Sequence, residues 1–149
     1  MYHNIVCPYD HSEFAERALE KAARMAADKG GKLFLVRVLV NPFLFDGGSH
    51  LLSTNLMATD LMEKIREEAT GQMQEIKDQV LVQYPDLEVE MGLTEGNDIG
   101  EAIMSEAENR NADLIVMGSH GRKGIKKWMM GSVADYVLRE AKCPVLIVK

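Results

Sequence analysis

The sequence predicts a doubly wound α/β domain built on a five-stranded parallel sheet, and three observations lead there. Short apolar runs alternate with longer amphipathic stretches in the order β-α-β-α-β-α-β-α-β. Two of the runs, 33–40 (LFLVRVLV) and 113–117 (DLIVM), are almost continuously apolar, as strands covered on both faces must be. The length of 149 residues suits one domain. A chain of that size buries roughly 68–70% of its unfolded surface, enough for a core without disulfide or metal staples. Right-handed crossovers between parallel strands then place helices on both faces.

Each element has its own warrant. Asn4-Ile5-Val6-Cys7-Pro8 is a short apolar run closed by proline, which suits a buried strand. Ser12 opens a helix by capping free N–H groups, and Glu13 and Glu16 favour its positive end. Ala15, Ala18, Leu19, Ala22, Met25 and Ala26 repeat at helical spacing, and Gly30-Gly31 stops the helix. The run 33–40 is the second strand. Residues 41–55 (NPFLFDGGSHLLSTN) carry proline, two glycines and no period, so they read as a loop, a candidate lid bearing exposed Phe43 and Phe45. Leu61, Ile65, Met73, Ile76 and Val80 mark a long amphipathic helix that ends before Pro85. Leu87 to Met91 alternates apolar and acidic residues, as an edge strand does. Asn97 or Asp98 caps a helix carrying Ile99, Ala102, Ile103 and Ala107. Asp113 to Met117 is the fourth strand, followed by a glycine-bearing loop from Gly118 to Gly131. Ser132 to Ala141 forms the last helix and Val145 to Val148 the last strand. No repeat, low-complexity tract or boundary interrupts residues 1–149, which are expected to form one domain.

Composition removes several function classes. With 17 Lys+Arg against 23 Asp+Glu the net charge is −6, which argues against a general nucleic-acid binder or an anionic-membrane binder. Hydrophobic content of 46% and charged content of 27% exclude a wholly disordered chain. Cys7 and Cys143 form no C-x-x-C and read as reduced thiols in a reducing compartment. The histidines (His3, His11, His50, His120) are scattered, and neither cysteine stands at a zinc-ligand spacing. The opening MYHNIVCPYD is too soon polar for a signal peptide, and no stretch approaches the roughly 20 apolar residues of a membrane span. A cytoplasmic protein is expected.

In open α/β sheets, ligands bind beyond the carboxyl ends of the strands where the strand order reverses. With the common order 3-2-1-4-5, that crevice lies between the first and fourth strands. The first ends in Pro8-Tyr9-Asp10, with a carboxylate at the lip. The fourth runs into Gly118-Ser119-His120-Gly121-Arg122-Lys123-Gly124-Ile125-Lys126-Lys127, and the next helix begins at Gly131-Ser132. Glycines 118 and 121 would let backbone N–H groups approach a ligand closely. Gly131-Ser132-Val133 would add free N–H groups and a positive helix end, worth about 0.3–1 kcal/mol to an anion. Arg122, Lys123, Lys126 and Lys127 put four cations within six residues of an acidic chain, which suits a polyphosphate. Each feature alone has a structural reading: turn glycines, an ordinary cap, a solvated basic face. Asp10 could equally cap the next helix, Tyr9 and His11 could be packing or surface residues, and Trp128, Met129 and Met130 would pack the loop down. It is their shared location that points to a ligand.

These residues resemble the nucleotide-binding branch of the universal stress protein family. The glycine, two residues, glycine, nine residues, Gly-Ser spacing of that branch falls on Gly118, Gly121, Gly131 and Ser132. The likeness extends over nearly the whole chain, through IVCPYDHSE, LVRV, NADLIVMGSHG, GSVADYVL and CPVLIVK. It implies the adenine nucleotide alpha-hydrolase-like fold and a site for ATP. Gly118, Gly121, Gly131, Ser132 and Val133 would hold ribose and phosphates, largely through the backbone. Asp10, with Pro8 and Tyr9, would line the nucleoside side, and Val38 would meet adenine through its main chain. Met117 and His120 would border the pocket, and Arg122 would approach the outer phosphates. Mg²⁺ or Mn²⁺ would accompany the triphosphate. Tyr9 stands where the family commonly has a small or aliphatic residue, a difference that would narrow the pocket. Val145–Val148, an apolar sheet edge, would pair across a two-fold axis into a homodimer, as the family does.

Three function classes follow. The first is an ATP-binding regulatory module of the stress response, with occupancy or slow hydrolysis as the switch. The second is a genuine ATPase or nucleotidyl-transferring enzyme. Hydrolysis at speed needs a positioned water, a base and charge stabilisers. Only His120 and Asp10 are base candidates, either could simply bind, and no catalytic residue or metal ligand is assigned. The third is a nucleotide-free dimeric scaffold. No G-x-x-x-x-G-K-[ST] occurs, and no G-x-G-x-x-G follows the first strand. A receiver-type phosphoacceptor is disfavoured because Asp10 has no adjacent acid. Exchanging Gly118 or Gly131 for valine is expected to remove nucleotide binding and spare the fold.

Overall fold

A computed structural model of the chain describes residues 2–41, 52–122 and 129–149. The elements are β1 (Asn4–Pro8), α1 (Glu13–Lys29), β2 (Lys32–Leu39), α2 (Leu52–Gln83), β3 (Glu88–Glu95), α3 (Ile99–Asn109), β4 (Leu114–Gly118), α4 (Ser132–Glu140) and β5 (Val145–Val148). The five strands form one sheet in the order β3-β2-β1-β4-β5, and every neighbouring pair is parallel. This is the architecture the alternating pattern predicts.

Side chains alternate across a strand, so a sheet covered on both sides needs apolar residues at consecutive positions. Ile5 and Cys7 of β1, level with Leu33 and Leu35 of β2, pack with Ala18, Ala22 and Ala26 of α1 and Met73 of α2. The residues between them, Val6 with Phe34 and Val36, face Ile103 and Ala107 of α3 and Ala134 and Val137 of α4. Two cores result, one on each face. Each fully buried aliphatic side chain in them contributes about 1.5–3 kcal/mol.

Local signals set the helix ends. Ser12 Oγ accepts the Ala15 N–H at 3.1 Å and Asp98 Oδ1 accepts the Glu101 N–H at 2.9 Å, so Asp98 rather than Asn97 is the cap of α3. Gly30 ends α1 at φ +63°, its N–H bonded to the Ala26 and Ala27 carbonyls. The Asp113 carboxylate accepts the N–H groups of His3 (2.8 Å) and Asn4 (3.1 Å), tying the amino ends of β4 and β1 together.

The structure differs from the sequence reading along α2 and β3. The stretch read as a loop over 41–55 yields to helix from Leu52 onward. Hydrophobic periodicity records a buried face, and over 57–62 only Met62 is buried. Met57 is 75% exposed, and Leu61, read as part of the apolar stripe, is 47% exposed. Phe43, Phe45 and the candidate lid lie outside the described residues. The strand read over 87–91 extends as β3 to Glu95, in register with β2 from Lys32↔Glu88 to Leu39↔Glu95. Arg66 of α2 pairs with Glu95 at the carboxyl end of β3.

Gly30 isolates the cost of a backbone conformation, because nothing lies within 4 Å of where a Cβ would stand. Gly30→Ala should lower the unfolding free energy by about 1 kcal/mol, from the left-handed φ alone. Urea unfolding would measure it, with no change in the far-ultraviolet circular dichroism of the native state.

Candidate functional site

The order reversal falls between β1 and β4, so the crevice opens at the carboxyl ends of these two strands. The Tyr9 N–H extends the pairing of β1 by donating to the Val36 carbonyl at 2.8 Å, and the chain then leaves the sheet at Asp10. Asp10 is half-buried and occupied at both oxygens. Oδ1 accepts the Ser12 N–H at 3.0 Å, an Asx-type turn into α1. Oδ2 accepts the Arg122 N–H at 3.1 Å and so holds the loop after β4 against the end of β1.

That loop is closed at its base. The Ser119 N–H donates to the Val148 carbonyl of β5 and the Gly131 N–H to the Ser119 carbonyl, both at 2.8 Å. His120 Nε2 donates to the Met129 carbonyl, which leaves Nδ1 to accept from the Ser119 hydroxyl at 3.0 Å. Its ring stands 5.1 Å from the ring of Phe14 on α1.

The glycines serve this closure. A Cβ on Gly118 would stand 2.6 Å from Phe14 Cβ, one on Gly121 2.9 Å from Asp10 Oδ2, and one on Gly131 3.0 Å from the Ser119 carbonyl oxygen. None of the three has a left-handed backbone. The sequence reading assigns their missing side chains to a ligand's approach. In the structure the space admits the protein's own atoms. The Gly131 N–H, read as a free donor, is engaged by Ser119. The expectation that valine at Gly118 spares the fold is corrected for the same reason, since Phe14 and its backbone occupy that space.

Donors remain at α4. Gly131 is its N-cap, with φ −62° and ψ 150° and no capping side-chain hydrogen bond. The N–H groups of Ser132, Val133 and Ala134 have no acceptor within the helix, and the helix end directs positive potential into the crevice. Ser132 is exposed and Val133 half-buried.

The remaining site residues divide. Asp10, Gly121 and Arg122 touch one another, and Gly131 closes on Ser119 and His120. Pro8 ends β1, half-buried. Val38 lies near the end of β2, half-buried and level with Thr94. Met117 is 5% exposed, its side chain part of the core under α3 and α4. Tyr9 is 3% exposed and packs with α1, its phenol donating to the Glu16 carboxylate. Burial and that bond push the phenol above its ordinary range. The expected narrowing of the pocket by its ring is therefore not what the structure shows. Lys123, Lys126, Lys127 and Trp128 lie outside the described residues, leaving Arg122, exposed, as the described member of the basic run. Met129 is 65% exposed rather than packing the loop down, whereas Met130 joins the α3/α4 core.

Two residues at the site escaped the sequence reading. Arg37 of β2 donates from Nη1 to Gln72 Oε1 of α2 at 2.6 Å and to His11 Nε2 at 3.1 Å. His11 adopts φ +63°, and its ring meets that of Tyr9 edge-on at 4.9 Å. Burial, Arg37 and Arg122 together hold the His11 imidazole below its usual range, against the opposing pull of Glu16 and Asp10. The signal was present: Arg37 is the one charged residue within an otherwise apolar run.

Among the described residues no group of three His, Cys, Asp or Glu could hold a metal ion. Both Asp10 oxygens accept backbone N–H groups. No helix among the described residues is long and apolar enough to cross a membrane. A surface hollow lined by Ala27, Gly30, Gly31 and 84–88 lies at the opposite, amino-terminal edge of the sheet.

The family model described as the universal stress protein family matches residues 1–149. The universal stress protein MJ0531 of Methanocaldococcus jannaschii is 31% identical, over all of this chain and 83% of its own length. The solved structure of MJ0577 from the same organism superposes with a TM-score of 0.81 at 29% identity, covering 100% of this chain and 96% of that one. A solved universal stress protein in complex with cAMP gives a TM-score of 0.71 at 23% identity, over 99% and 96% of the two chains.

Gly118→Ala should destabilise the protein by about 1–3 kcal/mol, the cost of overpacking α1 against the end of β4. A urea titration would show a lower midpoint. An unchanged midpoint would mean that Phe14 does not press on this glycine.

Proposed function

The chain belongs to the universal stress protein family, and from that premise we propose that it is an ATP-binding regulatory protein of the stress response. Residues 1–149 act as one nucleotide-binding domain. Gly118, Gly121, Gly131, Ser132 and Val133 hold ribose and phosphates, and Arg122 reaches the outer phosphates. Pro8, Tyr9 and Asp10 lie along the nucleoside, Tyr9 through its main chain. Val38 meets adenine, and Met117 and His120 border the pocket. Mg²⁺ or Mn²⁺ arrives on the phosphates.

The observation that carries this reading is the convergence at the order reversal of Asp10, the closed loop and the open amino end of α4. Phosphates there would meet free N–H groups, the positive helix end and a guanidinium. The solved relative holding cAMP supports the adenine nucleotide class. Among the described residues the two base candidates are already bonded, Asp10 at both oxygens and His120 at both ring nitrogens, which disfavours either as a dedicated base. Occupancy, with hydrolysis at most slow, is therefore the switch. The cytoplasm suits buried Cys7, whose thiol burial pushes up to about 12. Homodimerisation would use β5, an edge strand of half-buried apolar residues.

A second reading, a nucleotide-free dimeric scaffold, is favoured by one specific observation: Phe14, Asp10 and Ser119 already fill the spaces the glycines leave. Mass spectrometry of the purified protein, with calorimetric titration of ATP and adenosine, separates the two. The ATP-binding reading expects co-purified adenine nucleotide and measurable ATP affinity. Arg122→Ala should weaken ATP about tenfold or more, the worth of one charged hydrogen bond, and adenosine far less. No bound nucleotide and no heat on adding ATP with Mg²⁺ would leave the scaffold.

A further inference from the structure

We propose that Arg37, His11 and Arg122 form a second anion subsite, on the α2 side of Asp10, that takes a phosphate dianion. It shares Arg122 with the ATP reading and goes beyond it through Arg37 and His11, and it does not require nucleotide on the glycine loop.

Arg37 is half-buried, and its partners are a neutral amide, Gln72, and an imidazole, His11. Among the described residues neither Arg37 nor Arg122 has an ion pair, whereas Arg17, Arg66, Arg110 and Arg139 each pair with an acid. A half-buried guanidinium with no carboxylate of these residues in direct contact, Glu68 reaching it only through the Gln72 amide, has donors left for an anion. Because arginine only donates, His11 Nε2 is the accepting nitrogen, so the imidazole is neutral with its proton on Nδ1.

The second guanidinium is anchored independently. The Arg122 N–H rests on Asp10 Oδ2, one residue before His11, and the Arg122 charge is felt at both His11 and Arg37. Asp10 and Glu16 act on His11 from β1's end and α1, and Asp10 and Glu68 act on Arg37. Burial first, and then the two guanidiniums, hold the His11 imidazole low against these acids. The backbone supports the same reading. His11 occupies the left-handed region, which non-glycine residues enter at a cost, and in doing so sets its ring against Arg37. Two guanidiniums suit the three free oxygens of a phosphate better than the two of a carboxylate. The phosphate has two possible sources, free inorganic phosphate or the outer phosphate of a nucleotide in the crevice.

The test follows the His11 imidazole by NMR in the full chain, assigned with His11→Asn, as inorganic phosphate, ATP or adenosine is added. A dianion against the ring reverses the local field. Phosphate should raise the His11 titration midpoint by about one pH unit, adenosine should not, and Arg37→Gln should abolish the response. Arg37→Lys, which keeps the charge without the fork, should restore it in part. A response to both phosphate and ATP supports the subsite as open to free phosphate, and one to ATP alone assigns it to the nucleotide's own phosphate. An unmoved midpoint with both ligands overturns the proposal, as does a full response in Arg37→Gln with native circular dichroism. ATP affinity of Arg37→Gln, measured by calorimetry, separates the two readings, since unchanged ATP affinity with the phosphate response lost leaves this subsite independent of nucleotide on the glycine loop.

Discussion

The carboxylate of Asp10 is the point on which the site's geometry depends. One oxygen turns the chain from β1 into α1 through the Ser12 N–H, and the other fixes the loop after β4 through the Arg122 N–H. These segments lie 112 residues apart in sequence and meet only because β1 and β4 are neighbours in the sheet. A half-buried carboxylate accepting two amide N–H bonds is a strong anchor, each such bond contributing about 1.5–3 kcal/mol. In the ATP-binding reading, ligand and loop would share this group. A ribose hydroxyl donating to Asp10 would compete with Arg122, which gives nucleotide occupancy a direct route to the position of the basic loop.

The fold was legible because burial on both faces of a parallel sheet leaves a plain mark. Runs such as 33–40 cannot alternate when Leu33 and Leu35 serve one core while Phe34 and Val36 serve the other. Capping was legible too, since Ser12 and Gly30 act locally. The start of α2 before Leu61 was not, since Met57 is exposed and offers no buried face to mark it. In the site, position could be read and partnership could not. Asp10 and the glycine loop stand where strand order alone puts them. That Tyr9 would turn toward Glu16, or that His11 would lie against Arg37, depends on contacts between elements with no trace in spacing.

Electrostatics completes the division of labour. The chain is acidic overall, and its helices pair their basic residues locally, as Arg17 does with Glu13 and Arg139 with Asp135. At the carboxyl edge of the sheet the balance reverses: Arg37, Arg122 and the amino end of α4 gather around one crevice. Such a contrast draws anions to one edge while the rest of the surface repels them.

The crowding around the three glycines bears on how this signature is inherited. Any larger residue at these positions meets Phe14, Asp10 or the Ser119 backbone before it meets a guest, so folding itself purges such changes generation after generation. Exposed Ser132 and Arg122 are under no such guard. A lineage that abandoned its ligand would keep the glycine spacing and lose those two side chains first, which makes them, and not the glycines, the positions whose drift records a change of role.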